Sequence, residues 1–154
     1  HHQPRRQRQM CIRDRLDIRY FFSKNMTMSK EYIPLEKLDI YILAMEIGEM
    51  VWQLVEKWEY FPKRTVGRQL VEAADSIAAN ISEGYGRFHY KERLVFCYYS
   101  RGSMMETITW LKKSKERKQI EPTEFQNLKA KIEIFHLKLN IYIKKLKQTI
   151  KNQK

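Results

Sequence analysis

The most restrictive feature of this sequence is a long segment near its C-terminus in which apolar residues recur every three or four positions. This segment extends from about Thr123 to Lys151, and lysines occupy many of the remaining positions. Spacing of this kind places the apolar side chains on one face of an α-helix. The predicted stripe consists of Phe125, Leu128, Ile132, Phe135, Leu139, Tyr142, Leu146 and Thr149. Such a helix is typical of a bundle seam with a basic outer face.

Three earlier segments show helical spacing as well, and none has the alternation of a credible β-strand. The four predicted helices cover about residues 35–60, 65–86, 89–116 and 122–151. Pro62 and the pair Gly84 and Gly86 are expected to end the first and second helices. Long helices with short connections predict an all-α, antiparallel up-down-up-down four-helix bundle for residues 31–154.

The second helix carries small residues on a face that also holds Ile77 and Ile81, which predicts close packing by neighbouring helices. Gly102 in the third helix is expected to let the second helix approach, and Gly48 in the first to admit a neighbouring backbone. Nearby polar residues are interpreted as a network that joins helices two and three or joins one protomer to the next, with a functional patch as the alternative. They are Asn80, Glu83, Arg87, Arg101, Ser103 and Glu106.

Aromatic residues cluster where the first helix is expected to end. Trp58, Tyr60 and Phe61 lie just before Pro62. We expect this cluster to close one end of the core rather than to bind a ligand.

The positive charge is concentrated at the two ends of the chain. The formal net charge is +12, with 8 basic and 2 acidic residues in 1–30, 9 and 12 in 31–111, and 13 and 4 in 112–154. Basic surfaces of this kind favour contact with a polyanion, and a solvated lysine-rich helix face is the alternative.

Residues 1–30 form an arginine-rich segment that we expect to be a disordered or non-native arm. It could bind nucleic acid or act as a transit peptide. However, the run from Met10 to Arg15 resembles translated sequencing-adapter sequence, so we assign this arm no function.

Two groups of basic residues in the bundle are candidates for contact with RNA or DNA phosphates, which would make binding sensitive to salt and only weakly sequence-specific. The first group, at the junction of helices two and three, is Arg87, Lys91 and Arg93. The second group, at the end of helix three, is Lys112, Lys113, Lys115, Arg117 and Lys118.

No residues form a convincing catalytic or metal site, so we expect a non-enzymatic protein without a cofactor. Glu133 and His136 match the Glu-x-x-His of di-iron bundles, but the second copy that such sites need is missing. Cys97 lies among core positions and has no evident base. Two cysteines set no disulfide framework, which favours a reducing cytoplasm, and no segment is long and apolar enough to span a membrane.

The segment from Gln69 to Arg87 resembles the signature of a bacterial four-helix-bundle family. The matching positions are Gln69, Leu70, Ala73, Ala74, Ser76, Ile77, Asn80, Ile81, Glu83, Gly84 and Arg87, with Glu92, Phe96, Arg101, Gly102, Ser103 and Glu106 agreeing further on. This family was first named for proteins encoded in intervening sequences of large-subunit ribosomal RNA genes, and the resemblance covers about residues 33–150.

The resemblance implies a cytosolic bundle that assembles as a ring-shaped homopentamer. It also implies kinship with the accessory variability protein of diversity-generating retroelements, a pentamer that binds nucleic acid and a reverse transcriptase. The expected function is therefore nucleic-acid binding, or an adaptor role for a partner that handles nucleic acid. The alternative is a structural or protein-interaction module with no nucleic-acid role.

Overall fold

Four long helices joined by short connections make up the computed structural model, which describes residues 32–153. The helices are α1 (Asp39–Val55), α2 (Arg68–Tyr85), α3 (Tyr90–Glu116) and α4 (Pro122–Asn152). They belong to a compact unit that begins at Pro34, and there is no β-strand in the described range. The all-α prediction is therefore confirmed. The predicted basic arm, residues 1–30, lies outside the described residues.

Helix α1 is shorter than predicted at both ends. A 3₁₀ turn, Leu35–Lys37, comes first, and the extended backbone of Leu38 (φ −77°, ψ 114°) separates it from the α-helix. At the other end the amide of Trp58 donates to the carbonyl of Val55 at 3.0 Å, and Glu59 is again extended. These extended residues interrupt the helical hydrogen bonding, so the predicted helix 35–60 is corrected to Asp39–Val55.

Pro62 lies inside the first turn of the second helix, not between two helices as predicted. Helical backbone begins at Tyr60, passes through a π-helical turn at Lys63–Gly67 and continues into α2. A first turn tolerates proline because its amides have no acceptor within the helix. The predicted start at residue 65 is thus corrected to Tyr60.

This earlier start also overturns the predicted aromatic plug. Trp58 packs against the core, but Tyr60 is 71% exposed and Phe61 is 76% exposed. Both residues precede Val66 and Gly67, where this helix first becomes buried. Their rings consequently lie on the surface at the start of the second helix.

The contacts between α4 and its neighbours run in opposite order along each pair of helices. Lys138 and Lys131 of α4 pair with Asp39 and Glu46 of α1, at 2.7 Å and 2.6 Å. Along α3 and α4 the contacts join Lys115 to Phe125, Arg101 to Asn140, and Tyr98 to Lys147. This is the order of antiparallel neighbours, so the end of α3 and the start of α4 share one end of the bundle.

Helices α2 and α3 pack closely near the turn that joins them and also farther along. A β-carbon added at Gly84 would lie 2.6 Å from Cβ of Phe96, and Ser100 Oγ donates to the carbonyl of Ile77 at 2.9 Å. These contacts also run in opposite order, so the start of α2 lies at the same end of the bundle as the end of α3. The predicted close packing of α2 is therefore present at Ala73, Ala74 and Ala78, which are buried, but not at Ala79, which is exposed.

The seam of α4 follows the predicted periodicity closely. Its buried residues are Phe125, Leu128, Ile132, Phe135, Leu139, Ile143 and Leu146. Tyr142 is only half-buried, and Ile143 takes the inward position beside it. None of the described helices has the length and apolar character needed to cross a membrane.

Three hydroxyl side chains are fully buried in α3, although none of them was predicted to be a core residue. Ser100, Thr107 and Ser114 are 0% exposed. Thr107 and Ser114 donate to carbonyls one turn earlier in α3, whereas Ser100 donates to α2. Their spacing of seven residues was the available signal, because residues seven apart lie on the same face of a helix.

Candidate nucleic-acid interface

The strongest concentration of exposed cations without a carboxylate partner lies where α3 ends. We call this set the basic corner, and it consists of Lys112, Lys113, Lys115, Arg117 and Lys118. All five side chains are exposed, and none takes part in the ion pairs found between the described residues. Cations without carboxylate partners are available to an external anion.

The backbone at the end of α3 forms a tight C-terminal turn that presents these side chains. The amide of Gln119 donates to the carbonyl of Ser114 at 2.9 Å, and the amide of Lys118 donates to the carbonyl of Lys115 at 3.0 Å. This pair of bonds is the Schellman motif, in which the residue after the helix adopts the left-handed conformation. Lys118 holds that position, with φ 57°.

Two of the lysines make cation–π contacts with aromatic rings. Nζ of Lys115 lies 4.6 Å from the ring centroid of Phe125, and Nζ of Lys113 lies 5.9 Å from that of Trp110. Cation–π contacts of this length hold an ammonium group near a surface without neutralising its charge. The positive charge of the corner is thus partly preorganised.

A groove between α3 and α4 adjoins the basic corner. Its volume is about 560 Å³, and its basic lining is Lys112, Lys115 and Lys129. Glu116 and Glu133 also line it, and Lys129 lies 3.8 Å from Glu133. The carboxylates reduce the positive charge inside the groove, so the corner itself is the better position for a phosphate.

The first predicted basic group is largely engaged in contacts within the chain. Arg87 pairs with Glu83 at 2.7 Å and lies over the ring of Phe96. Arg93 donates to the carbonyl of Tyr85 at 3.0 Å, and its Nε is buried without a hydrogen-bond partner. Only Lys91 of this group is an exposed side chain with no such contact among the described residues.

The two predicted basic groups do not form one surface. They lie toward opposite ends of α3, and the separation in sequence from Arg93 to Lys112 corresponds to about 28 Å of helix. A short segment of nucleic acid can therefore contact one basic group or the other, but not both.

The predicted polar network is only partly assembled. Asn80 Nδ2 donates to the carbonyl of Ser76 at 2.8 Å and lies 3.4 Å from Ser103 Oγ, so one pair does link α2 with α3. Two further members, Glu83 and Arg87, pair with each other at 2.7 Å. The remaining two contact residues outside the set: Arg101 Nη1 donates to Asn140 Oδ1 of α4 at 3.5 Å, and Glu106 accepts from Trp110 Nε1.

The expected close approach at Gly102 is absent from the described chain. A β-carbon added at Gly102 would meet nothing within 4 Å, and the residue is exposed. At Gly48 the expected backbone approach is replaced by a side chain, because Asp75 Oδ1 would lie 2.8 Å from an added β-carbon. The close approach between α2 and α3 occurs at Gly84 instead.

A second groove, between α1 and α2, combines apolar residues with carboxylates. Its lining includes Met45, Trp52, Glu49 and Asp75. Burial, and to a lesser degree the charge of Glu49, raises the pKa of Asp75. Negative charge of this kind repels phosphates, so this groove is not part of the candidate interface.

Cys97 has the properties of a core residue. It is 3% exposed, and burial raises the pKa of its thiol to about 11. The thiol is therefore protonated at neutral pH and is a poor nucleophile. Among the residues that the structure describes, no three His, Cys, Asp or Glu side chains are grouped as a metal site requires.

Comparison with known proteins identifies a family. The family described as 23S rRNA-intervening sequence protein matches residues 36–140. A solved structure of a protein with unknown function from the S23 ribosomal protein family of Bacteroides thetaiotaomicron VPI-5482 has a TM-score of 0.63 and 16% sequence identity, covering 68% of this chain and 98% of that chain. At that identity the likeness concerns the fold alone. No curated protein matches the chain.

Proposed function

The chain belongs to the 23S rRNA-intervening sequence protein family, and from this membership and its charge distribution we propose that it is a non-enzymatic bundle that binds RNA or DNA phosphates. Binding takes place at the basic corner. In this role the protein acts directly on nucleic acid or as an adaptor for a partner, such as a reverse transcriptase, that handles it.

The observation that carries this proposal is the set of five exposed cations at the end of α3 that have no carboxylate partner. Elsewhere Arg68, Arg87, Lys131 and Lys138 each face a carboxylate at 2.6–2.8 Å. A phosphate that approached those residues would have to compete with the existing partner. At the basic corner it would replace only water and counterions, whose release favours binding.

RNA is the first ligand to test because the family description refers to 23S rRNA. Phosphate contacts do not distinguish strongly between RNA and DNA or between sequences. Matched RNA and DNA duplexes therefore belong in the same titration.

The proposal is tested with the triple variant Lys112→Gln, Lys115→Gln and Lys118→Gln, using fluorescence anisotropy at several salt concentrations. Each lost phosphate contact lowers the slope of log K against log salt by about 0.7–0.9, so we expect the slope to fall by about 2–3. Affinity at low salt is expected to fall at least about tenfold.

The matched control removes three exposed lysines at the other end of the bundle: Lys144→Gln, Lys145→Gln and Lys151→Gln. It makes the same change in net charge and is expected to retain most of the affinity. Equal losses in both variants would contradict binding at the corner, and no binding by the unaltered protein even at low salt would overturn the function.

The second candidate function is a protein-interaction module, and exposed apolar residues favour it. On α4 they are Ile134, Leu137 and Ile141, and on α3 they are Val95 and Tyr99 beside the open Gly102. Each set follows helical spacing, so each forms a continuous face. We propose that these faces join copies of the chain, in the homopentamer that the family resemblance implies.

A further inference from the structure

Tyr60 and Phe61 are the most exposed aromatic side chains in the part of the chain that the structure describes. Their exposed fractions are 71% and 76%. They are consecutive residues in the first turn of the second helix, so two large rings project into solvent from neighbouring positions. Exposed aromatic rings are frequent at surfaces that bind a partner, because they offer a large contact area.

The backbone that carries the two rings is held firmly. Gly67 lets the helix approach closely, since an added β-carbon would lie 2.7 Å from Val55 Cγ1 and 3.2 Å from Trp58 Cε3. Thr65 Oγ1 donates to the carbonyl of Phe61 at 2.8 Å. A fixed backbone below exposed rings means that the conformational entropy lost on binding is confined to the side chains.

One cation contacts the ring of Tyr60, and a second lies on the same turn. Arg64 Nη1 donates to Tyr60 Oη at 2.6 Å, and the guanidinium carbon lies 5.3 Å from the ring centroid. Lys63 Nζ donates to the carbonyl of Glu56 at 2.7 Å and is exposed. The start of α2 also lies at the same end of the bundle as the end of α3, which carries the basic corner.

The local charges indicate which interaction dominates at this turn. Around the turn, the carboxylates of Glu56 and Glu59 stand against the cations Lys57, Lys63 and Arg64, so the net positive charge is small. Phosphate attraction alone is therefore weak here, and the rings are the distinctive feature. Aromatic rings beside cations are the arrangement that single-stranded nucleic acid uses, because unpaired bases stack on rings while cations hold the phosphates.

We propose that Tyr60 and Phe61 form a stacking platform for unpaired bases, so that the protein prefers single-stranded RNA to duplex RNA. This inference rests on the proposed function, because the basic corner holds the phosphates of the same strand. Stacking of this kind tolerates any base, since every base has an aromatic face. The preference is thus for strand state and not for sequence.

The test compares a labelled oligouridine with a fully paired RNA duplex of equal length, using the double variant Tyr60→Ala and Phe61→Ala. Loss of a stacked base lowers affinity by roughly 5- to 100-fold, so we expect a loss in this range for the single strand. Affinity for the duplex and its salt dependence are expected to stay unchanged. Phe88→Ala, which removes an exposed aromatic ring beyond the other end of α2, is the matched control and is expected to retain both affinities.

A second variant distinguishes stacking from a purely structural effect. Phe61→Trp keeps a stacking surface and is expected to retain single-strand affinity, with its indole fluorescence quenched by the oligouridine. Thermal unfolding of each variant confirms that it remains folded.

The outcomes separate this inference from the proposed function. If the protein binds neither the oligouridine nor the duplex, both the proposed function and the stacking platform are overturned. Duplex binding with no single-strand preference, or equal losses for both RNAs in the double variant, overturns the platform alone. A fall in oligomer mass in the double variant would assign these rings to an interface between copies and would also overturn the platform.

Discussion

At Lys118, one residue combines an unfavourable backbone conformation with a positive charge in the basic corner. Its φ of 57° is in the left-handed region, where a non-glycine residue costs about 1–2 kcal/mol. The hydrogen bonds of the C-terminal turn require this conformation, and glycine is the usual residue there. A lysine at this position therefore adds a positive charge to the basic corner at a cost in stability.

The substitution Lys118→Gly is expected to raise the free energy of unfolding by about 1 kcal/mol, because glycine adopts positive φ without strain. The same substitution is expected to weaken RNA binding and to lower the salt slope by about 1, since one phosphate contact is lost. Urea unfolding and anisotropy titrations measure the two effects. Lys118→Asn serves as the control for charge, because asparagine tolerates the left-handed region. A gain in both stability and affinity would contradict a role for Lys118 in binding.

At the scale of helices, two glycines differ in how closely a neighbouring helix packs against them. Gly84 of α2 lies against α3, where an added β-carbon would be 2.6 Å from Phe96 Cβ and 3.3 Å from the carbonyl oxygen of Arg93. Gly102 of α3 faces open space. The same substitution therefore has opposite consequences at the two sites.

Gly84→Ala is expected to lower the free energy of unfolding by roughly 1–2 kcal/mol, because overpacking against a helix backbone outweighs the gain in helix propensity. Gly102→Ala is expected to raise it by about 1 kcal/mol, because an exposed helix interior gains from alanine. Chemical denaturation of both variants checks this matched pair. A loss of stability in Gly102→Ala would indicate that another chain approaches at Gly102 in the assembled protein.

At the scale of the whole molecule, the two ends of the bundle differ in what their cations contact. At the end of the bundle where α3 ends, the cations of the basic corner have no carboxylate partners. At the other end, Arg87 and Arg93 are held against α2 and its C-terminal residues, and the exposed lysines there are spread over two helices. Polyanion binding is therefore expected mainly at the basic corner, where the cations are most concentrated, which leaves the exposed apolar faces along the sides available for assembly.

Assembly is tested by placing a charge in the α4 face with Leu137→Lys. Leu137 is 64% exposed, so the substitution is tolerated in an isolated chain but would bury a charge in an interface. Light scattering after size-exclusion chromatography is expected to show a smaller assembly than the unaltered protein forms. Gln148→Lys, which makes the same change at another exposed position of α4, is expected to leave the mass unchanged. An unaltered mass in Leu137→Lys would remove this face from the interface.

Features that depend on helical spacing could be predicted from the sequence. The seam of α4, the small-residue face of α2 and the buried position of Cys97 follow from which residues share a helix face, because helical periodicity is local. The all-α class follows for the same reason. The basic residues at the end of α3 were also identifiable, since a dense charge cluster is visible without any fold.

Only the tertiary structure decided which neighbours these residues have. Arg93 donates to the carbonyl of Tyr85, whereas the basic corner has no carboxylate partners. Tyr60 and Phe61, which the sequence suggested were core, are exposed. Ion pairing and exposure depend on where separate helices meet. Local periodicity therefore determined the helices and their buried faces, whereas packing between helices decided which charges and rings are available to a ligand.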